Sequence, residues 1–417
     1  MKESDQRPPS PQEVGGPRAV RWLMLAGVWL LYASFGLAAT SLAPLVPPIT
    51  QDLGMSHAAM GLVLGCWQLV YIASAIPCGS LLDRMGPRWA LLLGVLLIAL
   101  SGLLRAFAID GITLALAVGI FGLGGPIVSA GAPKVVSLWF RGRDRGLAMG
   151  IYITGPAVGG IVALSLTNSV LMPAVGFEWR YVLLLWAGFA LISAVAWLFI
   201  TAHPESRLME DRLRAEPRTP QREILRNLWD LPAVRIMLLM SVGIFLFNHG
   251  LNNWLPELLR ANGMTAAEAG YWAAIPTAVG IVGSLMIPRL ATPGRRLTVL
   301  GLLCASAGLA SLCLHADAGP VLLGGLVLQG IARSSLMTVA ILTLVELRGI
   351  GERYAGTASG LFFSAAEIGG ASGPVLLGVL YDATGGFAAA LYLLTAVTVL
   401  LLLGVAGLKR TGAAGPG

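Results

Sequence analysis

Gln329 and Arg333 stand one helical turn apart in the apolar stretch LVLQGIARSSLMTVAI, residues 326–341. The surrounding apolar run reaches from about 321 to 347, which leaves the guanidinium near its middle. A cation at bilayer mid-depth costs about 3 kcal/mol or more, so such a residue faces protein interior or a watery cavity and marks a functional site. The planar Arg fork suits carboxylate-like anions, because it makes paired hydrogen bonds. Two readings follow. Arg333, with Gln329 on the same face, grips an anionic substrate, or Arg333 is neutralised within the protein. Glu367, in the middle of another apolar run, is the acid expected to meet it. That pair is either purely structural or a proton-coupling site that titrates as substrate displaces it.

A second polar group is strung along residues 245–256. Phe245, Asn248, His249, Asn252, Asn253 and Pro256 recur at three- and four-residue spacing and share one helix face. Asn amides and His249 suit hydrogen bonding to a small polar substrate, and His249 also suits proton relay. Pro256 is expected to break the helix at an outer gate. The first half of the chain has no charge at mid-depth. Its candidate lining is Tyr32, Phe35, Gln68, Tyr71 and Tyr152, although aromatic residues at helical spacing also serve plain packing. Lys134 is expected to snorkel or meet a loop acid. Arg105, Glu257 and Arg260 fall at span ends, as interface or gate residues do.

The elements that position these residues are membrane helices. Of the 417 residues 56% are apolar and 12% charged, with a mean hydropathy of +0.78; soluble chains carry about 25% charged residues. Twelve apolar spans are legible: 20–47, 57–81, 89–108, 111–138, 146–171, 180–201, 234–260, 266–288, 297–316, 319–347, 355–380 and 387–408. The parts are a polar tail (1–19), a six-helix bundle (20–201), a basic central loop (202–232), a second bundle (233–410) and a short tail (411–417). All but five of the 28 Lys and Arg fall in the tails, the inner loops or their flanks. The exceptions are Arg105, Arg180 and Arg260 at the outer side, and Lys134 and Arg333 within spans. This places both termini in the cytoplasm, in a plasma or inner membrane. The net charge of +7 is thus a topology signal and does not indicate nucleic-acid binding. Cys66, Cys78, Cys304 and Cys313 all sit in apolar runs, without metal-ligand spacing, and read as free buried thiols.

The two halves repeat. Residues 42–61 (LAPLVPPITQDLGMSHAAMG) align without gaps to 251–270 (LNNWLPELLRANGMTAAEAG), matching Leu42, Pro47, Gly54, Met55 and Gly61. Residues 146–160 (GLAMGIYITGPAVGG) align at nearly the same separation to 356–370 (GTASGLFFSAAEIGG). Two such segments argue for a duplicated six-helix unit.

The stretch Gly79-Ser80-Leu81-Leu82-Asp83-Arg84-Met85-Gly86-Pro87-Arg88 resembles the signature G-x-L-x-D-R-x-G-x-R of the major facilitator superfamily. It falls after the second span, where that family has it. The resemblance implies an all-α, polytopic fold of twelve transmembrane helices in two pseudo-symmetric six-helix bundles, with spans one, four, seven and ten lining a central cavity. It also implies a gating latch of Gly79, Asp83, Arg84, Gly86 and Arg88, with Asp83 receiving helix N-termini and Arg side chains. Three shorter pieces, at 104–106, 254–270 and 380–386, resemble the cyanate permease and nitroimidazole transporter group. Gly155-Pro156-Ala157-Val158-Gly159-Gly160 partly resembles the antiporter motif of drug/proton exporters. Its alternative is a kink and a close helix contact.

The expected function is secondary active transport of a small organic or inorganic anion by alternating access, coupled to protons by symport, by a monomer in the lipid bilayer. A drug/proton antiporter and a non-transporting receptor of the same fold are the alternatives. No nucleotide-binding loop or nucleophile constellation is present, so neither an enzyme nor a cofactor or metal site is expected.

Overall fold

A computed structural model describes residues 18–140, 142–206, 231–292, 294–345, 347 and 351–411. Most of the expected N-terminal tail, central loop and C-terminal tail lies outside them. Among the described residues the helices fall into twelve spans in chain order. The first six are Arg18–Thr40, His57–Met85, Pro87–Ala106, Gly111–Trp139, the split fifth span of Gly142–Tyr152 and Thr154–Leu166, and Trp179–Thr201. The last six are Pro232–Ala261, Ala266–Leu290, Arg296–Cys313, Pro320–Val345, Gly351–Thr384 and Ala388–Arg410. Among the described residues eleven helices are long and apolar enough to cross a membrane. The remaining one, span eight, has 25 residues and is about 37 Å long at the α-helical rise.

Local sequence sets where the helices start and stop. Ser56 caps span two by accepting the Ala59 N–H. Asp110 and Thr113 form a capping box at the start of span four. Gly54 and Gly263, matched in the repeat, both take positive φ (61° and 92°) in the turns before spans two and eight. Pro256 does not break span seven. The helix runs through it to Ala261, with Pro256 buried. Packing on both sides holds the helix where only one backbone hydrogen bond is lost.

The packing repeats with the sequence. Span one packs on five and six, span two on four, and span three on four and six. Six spans later, seven packs on eleven and twelve, eight on ten, and nine on ten and twelve. These are the two six-helix bundles. Between them, span two lies on eleven and span five on eight, the same exchange seen from either half.

Small residues make the tightest of these contacts. A Cβ on Gly159 would overlap the backbone of Ala33 in span one, and one on Gly369 would overlap Val242 in span seven. A Cβ at Gly155 would lie 2.9 Å from the Trp29 carbonyl, and at Gly373 2.6 Å from that of Leu246. The GPxxGG stretch is therefore accounted for by helix contact within its own bundle, as its repeat partner is.

Candidate functional site

The two bundles enclose a cavity of about 360 Å³. Its wall is built from spans one, two, five, seven, eight and ten. Span four, expected in the wall, contributes none of its described residues to it. Aromatic side chains stand in front of it: Phe35 stacks on Phe121 at 5.2 Å, and the Tyr71 hydroxyl meets Ser129 at 2.9 Å.

Arg333 lies in this wall, on span ten. Its guanidinium donates to the Thr277 hydroxyl at 3.3 Å. Among the described residues no carboxylate forms an ion pair with it; the ion pairs present are His57–Asp382, Arg180–Asp52 and Arg260–Glu257. The expected Arg333–Glu367 pair is not formed. Glu367 instead turns toward the seam between the bundles. A Cβ on Gly370 would lie 2.7 Å from Glu367 Oε2, 3.2 Å from Gln68 and 3.4 Å from His249, so three side chains from spans eleven, two and seven converge there. Gln68 Nε2 and His249 Nδ1 are 3.2 Å apart. Glu367 is 5% exposed, and its Oε2 has no hydrogen-bond partner.

Of the span-seven stripe, Pro256 alone does not line the cavity, and Phe245 does. Asn248, His249, Asn252 and Asn253 all reach the cavity. Asn248 donates to the Arg333 carbonyl at 3.4 Å and leaves its own Oδ1 unpaired. Asn253 donates back to the His249 carbonyl at 2.9 Å. Gln329, although one turn from Arg333, is fully buried outside the cavity wall, with both amide atoms unpaired. In the first half, Tyr32 and Phe35 line the cavity, whereas Gln68, Tyr71 and Tyr152 stand behind it. Tyr152 stacks on Tyr32 at 5.6 Å.

Several wall residues escape sequence reading: Trp67, Thr277, Ser284, Ser334, Met337 and Thr338. Ser334 directly follows Arg333 and Thr338 lies one helical turn beyond Ser334, which is a usable signal. Trp67 and Thr277 have none, because short polar and single aromatic residues are common throughout these spans. Arg105, placed by sequence at an interface, is buried within the first half and donates to the Ala38 carbonyl at 2.9 Å. Glu257 and Arg260 pair with each other at 3.3 Å.

The signature residues fall at the junction of spans two and three. Gly79 and Arg84 belong to span two, Gly86 makes the turn with φ 79°, and Arg88 opens span three, its guanidinium 4.8 Å from the Trp89 ring. The Asp83 side chain lies outside what is described, so its latch role stays an expectation.

Known proteins match this arrangement along most of its length. The chain is 25% identical over 395 residues to the probable sulfoacetate transporter SauU of Cupriavidus necator, covering 88% of this chain and 89% of that protein. It is 24% identical over 409 residues to the hexuronate transporter of Bacillus subtilis, covering 93% of both. A bacterial homologue of the human lysosomal transporter Spinster, solved inward-facing and unoccupied, superposes with a TM-score of 0.76 at 18% identity, over 96% of this chain and 98% of that one. The narrower likeness to cyanate permeases finds no support among these relatives. The family model of the Major Facilitator Superfamily matches residues 28–374, and with the duplicated bundles and the signature loop this chain belongs to the Major Facilitator Superfamily.

Proposed function

We propose that the protein is a secondary active transporter that carries a small anion through the membrane by alternating access, coupled to protons. One observation carries this reading: Arg333 stands in the central cavity with no acidic partner among the described residues. A guanidinium in a low-dielectric wall needs a countercharge, and a substrate anion supplies it. Thr277, Asn248, Asn252 and Ser334 surround it with further hydrogen-bonding groups. The substrates for which two relatives are named, sulfoacetate and hexuronate, are organic anions, which supports the same class. With the termini cytoplasmic, as the basic loops require, the transporter works in the plasma membrane of the cell.

Coupling falls to the group at the seam. Glu367, His249 and Gln68 meet where the bundles must part, beside the cavity that His249 also lines. A carboxyl there that gains and loses a proton as the bundles rock links proton movement to the conformational cycle.

The decisive experiment is uptake of small organic anions into proteoliposomes. Arg333→Gln should abolish uptake while leaving the protein folded by circular dichroism and size-exclusion elution. Unchanged uptake of every transported anion in Arg333→Gln would remove the anion reading.

A further inference from the structure

The cavity is not evenly polar, and its asymmetry bears on what it holds. Hydrogen-bonding side chains lie on the second-half wall, where spans seven, eight and ten bring Asn248, Asn252, Thr277, Ser284, Arg333 and Thr338 together. The first-half wall is made of rings and small apolar residues: Tyr32, Phe35, Trp67, Ile153, Pro156 and Ala157. Of its hydroxyls, that of Thr154 is occupied: it accepts from Trp29 Nε1 at 2.9 Å and donates to the Ile151 carbonyl at 2.7 Å.

The rings are also held in place before any ligand arrives. Tyr32 stacks on Tyr152 at 5.6 Å and leans on Phe35 at the same separation. Phe35 stacks on Phe121, and Trp67 sets its edge against Phe121 at 5.2 Å. Preorganised rings bind a flat partner without first losing rotamer freedom. The charge count is equally restrictive. Among the described wall residues Arg333 is the single Lys or Arg, and no Asp or Glu is present. One cation balances one negative charge. A second carboxylate would lie in the aromatic half without a countercharge, and a polyhydroxy acid would leave hydroxyls there without partners, which binding sites penalise strongly.

We infer that the substrate is an amphipathic monoanion, a single carboxylate on a flat aromatic body, with the head at Arg333 and the ring on the Tyr32–Phe35–Trp67 wall. This rests on the proposed anion role of Arg333 and specifies it.

The test uses the purified full-length protein and thermal stabilisation, from which affinities follow by mass action. Phenylacetate, phenylacetamide, acetate, glucuronate and phthalate are the probes. Phenylacetate should bind more tightly than acetate by roughly tenfold, the equivalent of about one well-placed ring contact. Glucuronate, phthalate and the neutral phenylacetamide should each bind more weakly than phenylacetate. Phe35→Leu and Trp67→Leu should both lower the phenylacetate-to-acetate ratio, and Tyr32→Phe, which keeps the ring, should preserve it. If Trp67→Leu fails to fold, the Phe35→Leu and Tyr32→Phe pair decides. Tighter Arg333-dependent binding of glucuronate or phthalate than of phenylacetate would overturn the amphipathic class and leave the anion reading standing. Binding of phenylacetate and phenylacetamide alike, unaffected by Arg333→Gln, would overturn both.

Discussion

Arg333 is half-buried and Glu367 buried, both within apolar runs, yet among the described residues they do not neutralise one another. Under the proposed role, Arg333 is matched by substrate and Glu367 by a proton, so their replacements should fail differently. Arg333→Lys keeps the charge but loses the two-pronged donor, and should lower anion affinity by roughly tenfold or more, since one charge-assisted hydrogen bond is worth about 1.5–3 kcal/mol. Equilibrium binding to the detergent-solubilised protein checks this, and an unaltered affinity would show that the fork is not engaged. Glu367→Gln should leave anion exchange between equal concentrations intact and abolish accumulation driven by a pH gradient. Gradient-driven accumulation at the wild-type level in Glu367→Gln would exclude that carboxyl as the proton carrier. His249 offers a separate readout: its ring meets Gln68 across the seam at 3.2 Å. The sequence showed that these polar residues were costly in lipid, but not which of them met. Charge and depth are visible in one helix; a partner depends on how that helix is rotated and packed against others. Gln329 illustrates the limit, since correct spacing from Arg333 still left it outside the cavity wall.

Between helices, the informative residues are those with no side chain. Gly159 and Gly369 occupy matched positions in spans five and eleven, and each lets its helix lie directly on the backbone of the first helix of its bundle. Sequence alone exposed this layer well: span count, duplication and the signature loop all follow from hydropathy, charge bias and repeated glycines. What it missed was the withdrawal of span four, because the rings that screen it belong to spans one and two. The tight contacts make a stability prediction. Gly159→Val or Gly369→Val should destabilise the protein by about 3 kcal/mol or more, since backbone cannot yield as a side chain does. Gly386→Val, where nothing lies near the added carbon, is the control. Thermal unfolding in detergent reads the difference, and equal melting temperatures for the three would contradict the packing.

At the scale of the whole molecule, a series of contacts between bundles among the described residues runs along one side. From the seam outward, Gly65 of span two lies against Ala371, Gly61 against Pro374, and the His57 backbone against Gly378. Asn168 likewise reaches the Ala266 carbonyl at 3.3 Å between spans five and eight. These contacts close the face opposite the chain termini. Its outermost tie is Asp382 at the end of span eleven, whose carboxylate accepts the backbone N–H groups of His57 at 3.1 Å and Ala58 at 2.7 Å, with the His57 ring 3.4 Å away. A carboxylate on the first turn of a long helix from the opposite bundle is favoured by unpaired N–H groups and by the helix dipole. Under the proposed alternating access this tie breaks each time the face opens. Removing it should therefore shift the population toward the other state, by roughly tenfold if the tie contributes about 1.4 kcal/mol. The reporter is Thr40→Cys, a cavity position 6% exposed in this state, in a background with Cys66, Cys78, Cys304 and Cys313 replaced by Ala. Asp382→Ala should raise its labelling rate by a membrane-impermeant maleimide applied to the closed face. Asp110→Ala removes a carboxylate that caps its own helix within one bundle, and should leave that rate unchanged. Equal labelling in the Asp382 and Asp110 variants would mean that the outer tie does not help hold the face shut, and that the glycine seam alone keeps the bundles together there.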